Sequence, residues 1–153
     1  MSQTIGVVSD THGLVRPEAM DALRGVDLML HAGDIGSISV VEALREIAPV
    51  HAVRGNVDTG TWAAPFPERK TIQAGPHSIF VLHNLDELPL DPAAAGINVV
   101  ISGHSHQPKI FHKDGVMYLN PGSAGPRRFK LPVSVALLRI DESRIDADIV
   151  KLI

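Results

Sequence analysis

The chain has 153 residues, 44% of them hydrophobic and 20% charged, which suits one compact domain over 1–153 with its own core. A net charge of −3 excludes a sequence-independent pull toward nucleic acid or an anionic membrane surface. The absence of cysteine excludes disulfides, thiolate nucleophiles and thiolate metal sites. No stretch approaches the ~18 apolar residues of a membrane span, and "MSQTIGVVSD" lacks the features of a secretory signal, so the expected location is cytoplasmic.

Short, β-branched, nearly continuous apolar runs predict buried strands at "IGVVS" (5–9), "VDLMLHA" (26–32) and "VHAV" (50–53). Helices are expected between them. In "PEAMDALRG", Pro17 suits the first helical turn and Gly25 a stop. In "SVVEALREIAP", Ser39 and Glu42 have capping-box spacing, and Val40, Leu44 and Ile47 share a face. Strand–helix alternation implies right-handed crossovers and a parallel sheet. Further strands follow at "RKTIQA", "SIFVL" (78–82), "NVVIS" (98–102), "PKIFHK", "VMYLN", "VSVALLRI" and "IDADIVKLI". Short turns such as "KDG" predict antiparallel hairpins in this half. A mixed α/β protein with two sheets and outer helices is expected.

The informative pattern lies just past five of these strands. They run into Asp10 and His12, into Asp34, into Asn56, into His83, and into His104 and His106. In open α/β sheets, ligand sites gather beyond the carboxyl ends of strands. Two carboxylates, one amide oxygen and four imidazoles form a donor set for divalent cations. Seven groups exceed one tetrahedral zinc site and suit two metals that share a carboxylate. Asp10-x-His12 and His104-x-His106 would each point two side chains to one side of an extended chain. Glycines 33, 55 and 103 precede three of the candidates and allow sharp turns there. Taken singly, Asp-Thr-His-Gly, Gly-Asp and Gly-Asn are ordinary turn sequences; their coincidence at successive strand ends favours a site.

In order and spacing, Asp10-x-His12, Gly33-Asp34, Gly55-Asn56-x-Asp58, His83 and Gly103-His104-x-His106 resemble the motifs of the calcineurin-like metallophosphoesterases. "YLNPGSAGPRR" (118–128) resembles the segment that follows in the small bacterial and archaeal phosphodiesterases of that family. The resemblance spans essentially the whole chain and implies a four-layer α/β/β/α sandwich with two mixed sheets. It implies one metal held by Asp10, His12, bridging Asp34 and His106, and a second by Asp34, Asn56, His83 and His104. Asp34, Asn56 and His104 are the catalytic candidates. Two divalent ions are implied, Mn²⁺ foremost, with Fe²⁺, Zn²⁺ and Ni²⁺ as alternatives. The expected reaction is hydrolysis of small or exposed phosphodiesters by in-line attack of a metal-bridging hydroxide.

Two positions depart from the family pattern. Val57 stands where the family usually has His or Cys, and Asn84 where it usually has Gly. Without a proton donor at 57, aryl and strained cyclic esters should be favoured over alkyl esters. Asp58, Arg54, His31 and Arg127, with its neighbour Arg128, are candidates for bracing the site or touching substrate. His51, His77 and His112 read as structural or exposed. Trp62 and Phe66 suit an apolar rim, a dimer contact or the core. The expected partner is a small phosphodiester, with no membrane and no strong nucleic-acid binding; a homo-oligomer is compatible with the sequence. Two other readings stand beside this one. They are a phosphomonoesterase, and a non-catalytic scaffold on the same fold, like the retromer subunit, in which erosion should have removed ligands.

Overall fold

A computed structural model of the chain describes residues 2–128 and 130–153. Strand β1 (Ser2–Val8) leads to helix α1 (Pro17–Ala22), β2 (Leu28–His31), α2 (Ile38–Arg45) and β3 (Val50–Ala52). The rest of the described chain is β4 (Arg69–Ala74), β5 (His77–Leu82), β6 (Val99–Ile101), β7 (Lys109–Lys113), β8 (Val116–Asn120), β9 (Ser134–Asp141) and β10 (Ile145–Lys151), with 3₁₀ turns at Thr61–Ala63 and Leu85–Glu87. The strands form two five-stranded mixed sheets, ordered β10-β9-β1-β2-β3 and β4-β5-β6-β8-β7.

The central core lies between the sheets, where Ile5, Leu30 and Leu138 of the first meet Ile79, Ile101 and Leu119 of the second. On the outer face of the first sheet, Leu23, Val41 and Leu44 pack with Met29 and Val135, which places both helices there. On the outer face of the second sheet, Phe80, Leu82 and Val100 are covered by Leu85, Leu88 and Ile97. The fourth layer of the α/β/β/α arrangement is therefore a 3₁₀ turn and extended chain. Among the described residues no helix is long and apolar enough to cross a membrane.

Two local expectations are corrected. Helix α2 is capped by Ser37, whose hydroxyl accepts from Ser39 N–H, rather than by Ser39; Ser37 is the residue that stays extended, as an N-cap must. The second sheet is not simply antiparallel, because β5, β6 and β8 run parallel. Residues 83–98 are long enough for a crossover, whereas β4–β5 and β7–β8 turn tightly and form the expected hairpins. The second of those turns holds Asp114 and Gly115 at positive φ, the conformation of a tight hairpin turn. Of the roles open to Trp62 and Phe66, the structure favours the core: both pack under the helices with their rings 6.5 Å apart.

Candidate metal centre

The parallel strands β1, β2 and β3 of one sheet, and β5 and β6 of the other, end at one edge of the sandwich. The loops that leave them are tied together through the backbone. Asp10 N–H donates to Gly33 C=O at 3.0 Å, His12 N–H to Asp34 C=O at 3.0 Å, and Gly103 N–H to His83 C=O at 2.9 Å. Asp10, His12, Asp34, His83, His104 and His106 are brought into one cluster, and Asn56 lines the cleft beside it.

Each carboxylate has one oxygen fixed and the other turned to imidazoles. Asp10 Oδ2 accepts from Ser9 Oγ at 2.7 Å and from His104 N–H at 3.1 Å. Asp10 Oδ1 is buried with no hydrogen-bond partner among the described residues. It faces the Nε2 atoms of His106, His83 and His12 at 3.4, 3.8 and 3.9 Å. Asp34 Oδ1 accepts from Val57 N–H at 3.1 Å, while Oδ2 lies 3.2 Å from His83 Nε2 and 3.7 Å from His12 Nε2. His12 Nε2 and His106 Nδ1 are likewise buried without partners. Buried polar atoms are normally paired, so several orphans within one cluster fit a donor set awaiting cations. The atoms fall into two groups, Asp10–His12–His106 and Asp10–Asp34–His83. Asp10 is common to both, and Asp34 Oδ2 faces a histidine of each.

Burial works to lower the His83 pKa, but its hydrogen bond to Asp34 and the charges of Asp10 and Asp34 outweigh it and raise the value. For Asp34, burial works upward and is outweighed by the hydrogen bond and charge of His83, with further help from Val57 N–H and His12, so the carboxyl is lowered to about 2. Burial lowers the His106 pKa, opposed by Asp10 and assisted by Arg128. His83 Nδ1 lies 2.8 Å from Ala32 C=O, which requires the proton on that nitrogen and directs Nε2 into the cluster.

The backbone here is costly. Among the described residues six non-glycine residues have positive φ, and five of them are cluster members: Asp10 (55°), His12 (48°), Asp34 (55°), His104 (72°) and His106 (62°). Each such residue costs about 1–3 kcal/mol, and clustering of this kind marks functional sites. Asp10-x-His12 and His104-x-His106 thus converge through left-handed turns, not through extended chain. The glycines act partly as expected. Gly33 has φ of +102°, but Gly55 and Gly103 are needed for space: a Cβ at 55 would strike the Asp34 carboxylate, and one at 103 would strike Ser9 Oγ and Asp10.

Two expected bracing residues are in place. The buried Asp58 carboxylate accepts N–H bonds from Ile35 at 3.0 Å and from Gly36 and Gly55 at 2.9 Å, joining the loops after β2 and β3. His31 Nδ1 accepts from Gly33 N–H at 3.0 Å. Its Nε2–H therefore donates to Thr11 Oγ1 at 2.9 Å, and Thr11 donates to Ile35 C=O at 2.8 Å. Burial, only partly countered by Asp58, lowers the His31 pKa to about 4 and keeps the ring neutral. Arg54 lines a cleft of about 630 Å³ with Asn56 and His83, and its buried Nε has no hydrogen-bond partner among the described residues. Arg127 is exposed, and it is its neighbour Arg128 whose charge reaches His106. His51 pairs with Lys70 at 2.7 Å and His77 with Asp141 C=O at 2.8 Å, while His112 is exposed.

Ser9, Asn120 and Ser123 escaped the sequence reading. Ser123 Oγ donates to Asp10 C=O at 3.0 Å and Asn120 Nδ2 to Gly103 C=O at 3.0 Å, so the segment after β8 braces two ligand loops. The sequence signals for this segment were the turn-rich "NPGSAG" and the resemblance of 118–128 to the family segment, neither of which picks out these side chains.

A family model described as the calcineurin-like phosphoesterase superfamily domain matches residues 4–143. A probable metallophosphoesterase of Methanothermobacter thermautotrophicus is 37% identical, over 96% of this chain and 91% of the relative. Among solved structures, an archaeal phosphodiesterase superposes with TM-score 0.81 at 22% identity, covering 97% of this chain and 99% of that one. Vacuolar Protein Sorting 29 of Cryptosporidium parvum superposes with TM-score 0.78 at 20% identity, covering 98% and 97%. Fold, motif order and family match agree: the chain belongs to the calcineurin-like phosphoesterase superfamily.

Proposed function

We propose that the chain is a dinuclear metal-dependent phosphodiesterase acting on small or exposed diesters in the cytoplasm. The observation that carries this reading is the division of labour in the carboxylates: Asp10 and Asp34 each have one oxygen fixed by hydrogen bonds and the other turned toward imidazoles. Asp10, His12, Asp34 and His106 would hold one divalent ion, and Asp34, Asn56, His83 and His104 the other. Such ions, when bound, polarise phosphoryl oxygens and lower the pKa of coordinated water. Ser9, Val57 N–H and His104 N–H hold the carboxylates in orientation. His83 presents Nε2 because Ala32 C=O fixes its Nδ1 proton. Arg54, with a free buried Nε beside Asn56, suits contact with a phosphoryl oxygen. Val57, 48% exposed and bound to Asp34 only through its backbone N–H, has no side-chain proton to offer a leaving alkoxide. Diesters with acidic leaving groups are therefore the favoured substrates, and Mn²⁺ the favoured ion among Mn²⁺, Fe²⁺, Zn²⁺ and Ni²⁺.

The scaffold reading draws on Val57 and on the likeness to Vacuolar Protein Sorting 29, which at 20% identity speaks for the fold alone. Metal titration by calorimetry separates the readings when paired with rates on aryl diesters and monoesters. Two sites per chain with faster diester turnover support the phosphodiesterase. Two sites with no turnover support the scaffold, and faster monoester turnover supports the monoesterase.

A further inference from the structure

A second cleft opens beside the metal centre and has the chemistry of an aromatic-ring site. It has a volume of about 360 Å³, within the ~300–1,000 Å³ typical of small-molecule sites. It lies where the thin fourth layer leaves the outer face of β7 and β8 uncovered. Phe111 and Tyr118, cross-strand partners, both line it. Their rings stack with centroids 4.7 Å apart and planes 3° from parallel. Lys109 Nζ stands 5.1 Å from the Phe111 centroid. The opposite wall is the 3₁₀ turn, held by Asn84, whose Oδ1 accepts from Asp86 N–H at 3.1 Å. The residue that departs from the family's glycine thus shapes this cleft.

His104 connects cleft and centre. It lines the cleft, and its Nδ1 lies 3.3 Å from His83 Nε2 within the cluster. A group esterified to a phosphate at the cluster is therefore carried past His104 toward the stacked rings. The side chains of Asp86 and Gln107 also line the cleft and make no hydrogen bond within the described chain. An aliphatic arm would leave the aromatic pair unused, and a plain phenyl arm would leave the polar groups unused. A planar ring with hydrogen-bonding edges uses both.

We propose that this cleft binds the nucleobase of a nucleoside phosphodiester and so sets the substrate class. The proposal rests on the phosphodiesterase reading for its catalytic consequence but not for binding. Base–aromatic stacking combined with edge hydrogen bonds should favour a nucleoside arm over a methyl arm by roughly 5-fold or more in KM.

The test has two arms. In chelator-treated protein, where no turnover occurs, adenosine 5′-monophosphate is titrated while amide NMR signals are followed. Saturable shifts confined to 84–86, 102–111 and 118–120 are expected. Shifts elsewhere, no shifts, or shifts that depend on protein concentration alone, as in self-association, overturn the proposal. In metal-loaded protein, KM for thymidine 5′-p-nitrophenyl phosphate should lie below that for methyl p-nitrophenyl phosphate. Phe111→Ala and Gln107→Ala should each erase most of the difference while leaving the methyl ester constants unchanged. The two variants are independent, so misfolding of one leaves the other to decide. An unchanged KM ratio in a folded variant overturns the proposal. Localised NMR shifts with no turnover of either ester would sink the phosphodiesterase reading and leave the base site standing.

Discussion

The backbone N–H of Val57 donates to Asp34 Oδ1 at 3.1 Å, while the residue as a whole is 48% exposed. The position holds the Asp34 carboxylate through its backbone whatever side chain it carries. The valine therefore removes a proton donor without disturbing the ligand set.

Val57→His should consequently restore function without rebuilding the site. General-acid assistance is worth roughly 10²–10⁴-fold, and it matters most for poor leaving groups. The expected result is a gain of at least ~10-fold in kcat for an alkyl diester, with little change for a bis-aryl diester. Steady-state rates on the two substrates measure it. Equal effects on both would mean that leaving-group protonation does not limit the reaction.

Asp58 accepts three N–H groups from the two loops that carry Asp34 and Asn56. Asp58→Ala strands buried donors, each costing about 1–3 kcal/mol. A stability loss of roughly 3 kcal/mol is expected in urea unfolding of the chelated protein. Because the loops also set ligand positions, metal affinity should fall about 10–100-fold. A loss of stability with unchanged metal affinity would reduce Asp58 to a purely structural brace.

His31 predicts a pH dependence. Its folded pKa, about 4, lies below the unfolded value of 6.5, so the unfolded chain binds the proton first. The stability tied to neutral His31 is complete above pH 6.5 and is lost as pH falls toward 4, on the order of 3 kcal/mol in all. His31→Asn keeps an acceptor for Gly33 N–H but cannot titrate. Urea midpoints in chelator from pH 7 to 4 should show the wild-type advantage over this variant shrinking as pH drops. A constant difference would place the titration elsewhere.

Gly103 has no room for a side chain beside Ser9 and Asp10. Gly103→Ala should push His104 N–H away from Asp10 Oδ2 and weaken metal binding, read by calorimetry, while far-ultraviolet circular dichroism keeps the native sheet signal. Wild-type metal affinity in this variant would show that the loop adapts without moving the ligand.

Much of this site was legible because strand ends are punctuated by rare side chains. Asp10, Asp34 and His83 follow apolar runs that could only be buried strands, and parallel sheets gather such ends at one edge. Asp58 was suggested as a brace by its place in the Asn-x-Asp motif at the head of the 56–60 loop. The left-handed conformations of Asp10, His12, Asp34, His104 and His106 were not legible, since a local sequence reading favours extended or turn geometry and the strain is held by tertiary contacts. Ser123 was hidden for a similar reason: its partner, Asp10 C=O, lies 113 positions away. The parallel pairing of β5, β6 and β8 was missed because 83–98 carries no helical periodicity, although it makes a crossover. Arg127 and Arg128 were both legible as basic residues after the turn, and the path of the loop decides that it is the charge of Arg128 that acts on His106.

Hydrolysis of bis(p-nitrophenyl) phosphate by the Mn²⁺-loaded protein, with Asp34→Asn as the control, tests the central claim most directly. Asp34→Asn removes the charge of this carboxylate while keeping its size. The account predicts steady turnover by the wild type that requires the metal and falls at least ~100-fold in the variant. A fully metal-loaded wild type that releases no p-nitrophenol, or a variant that matches its rate, would contradict it.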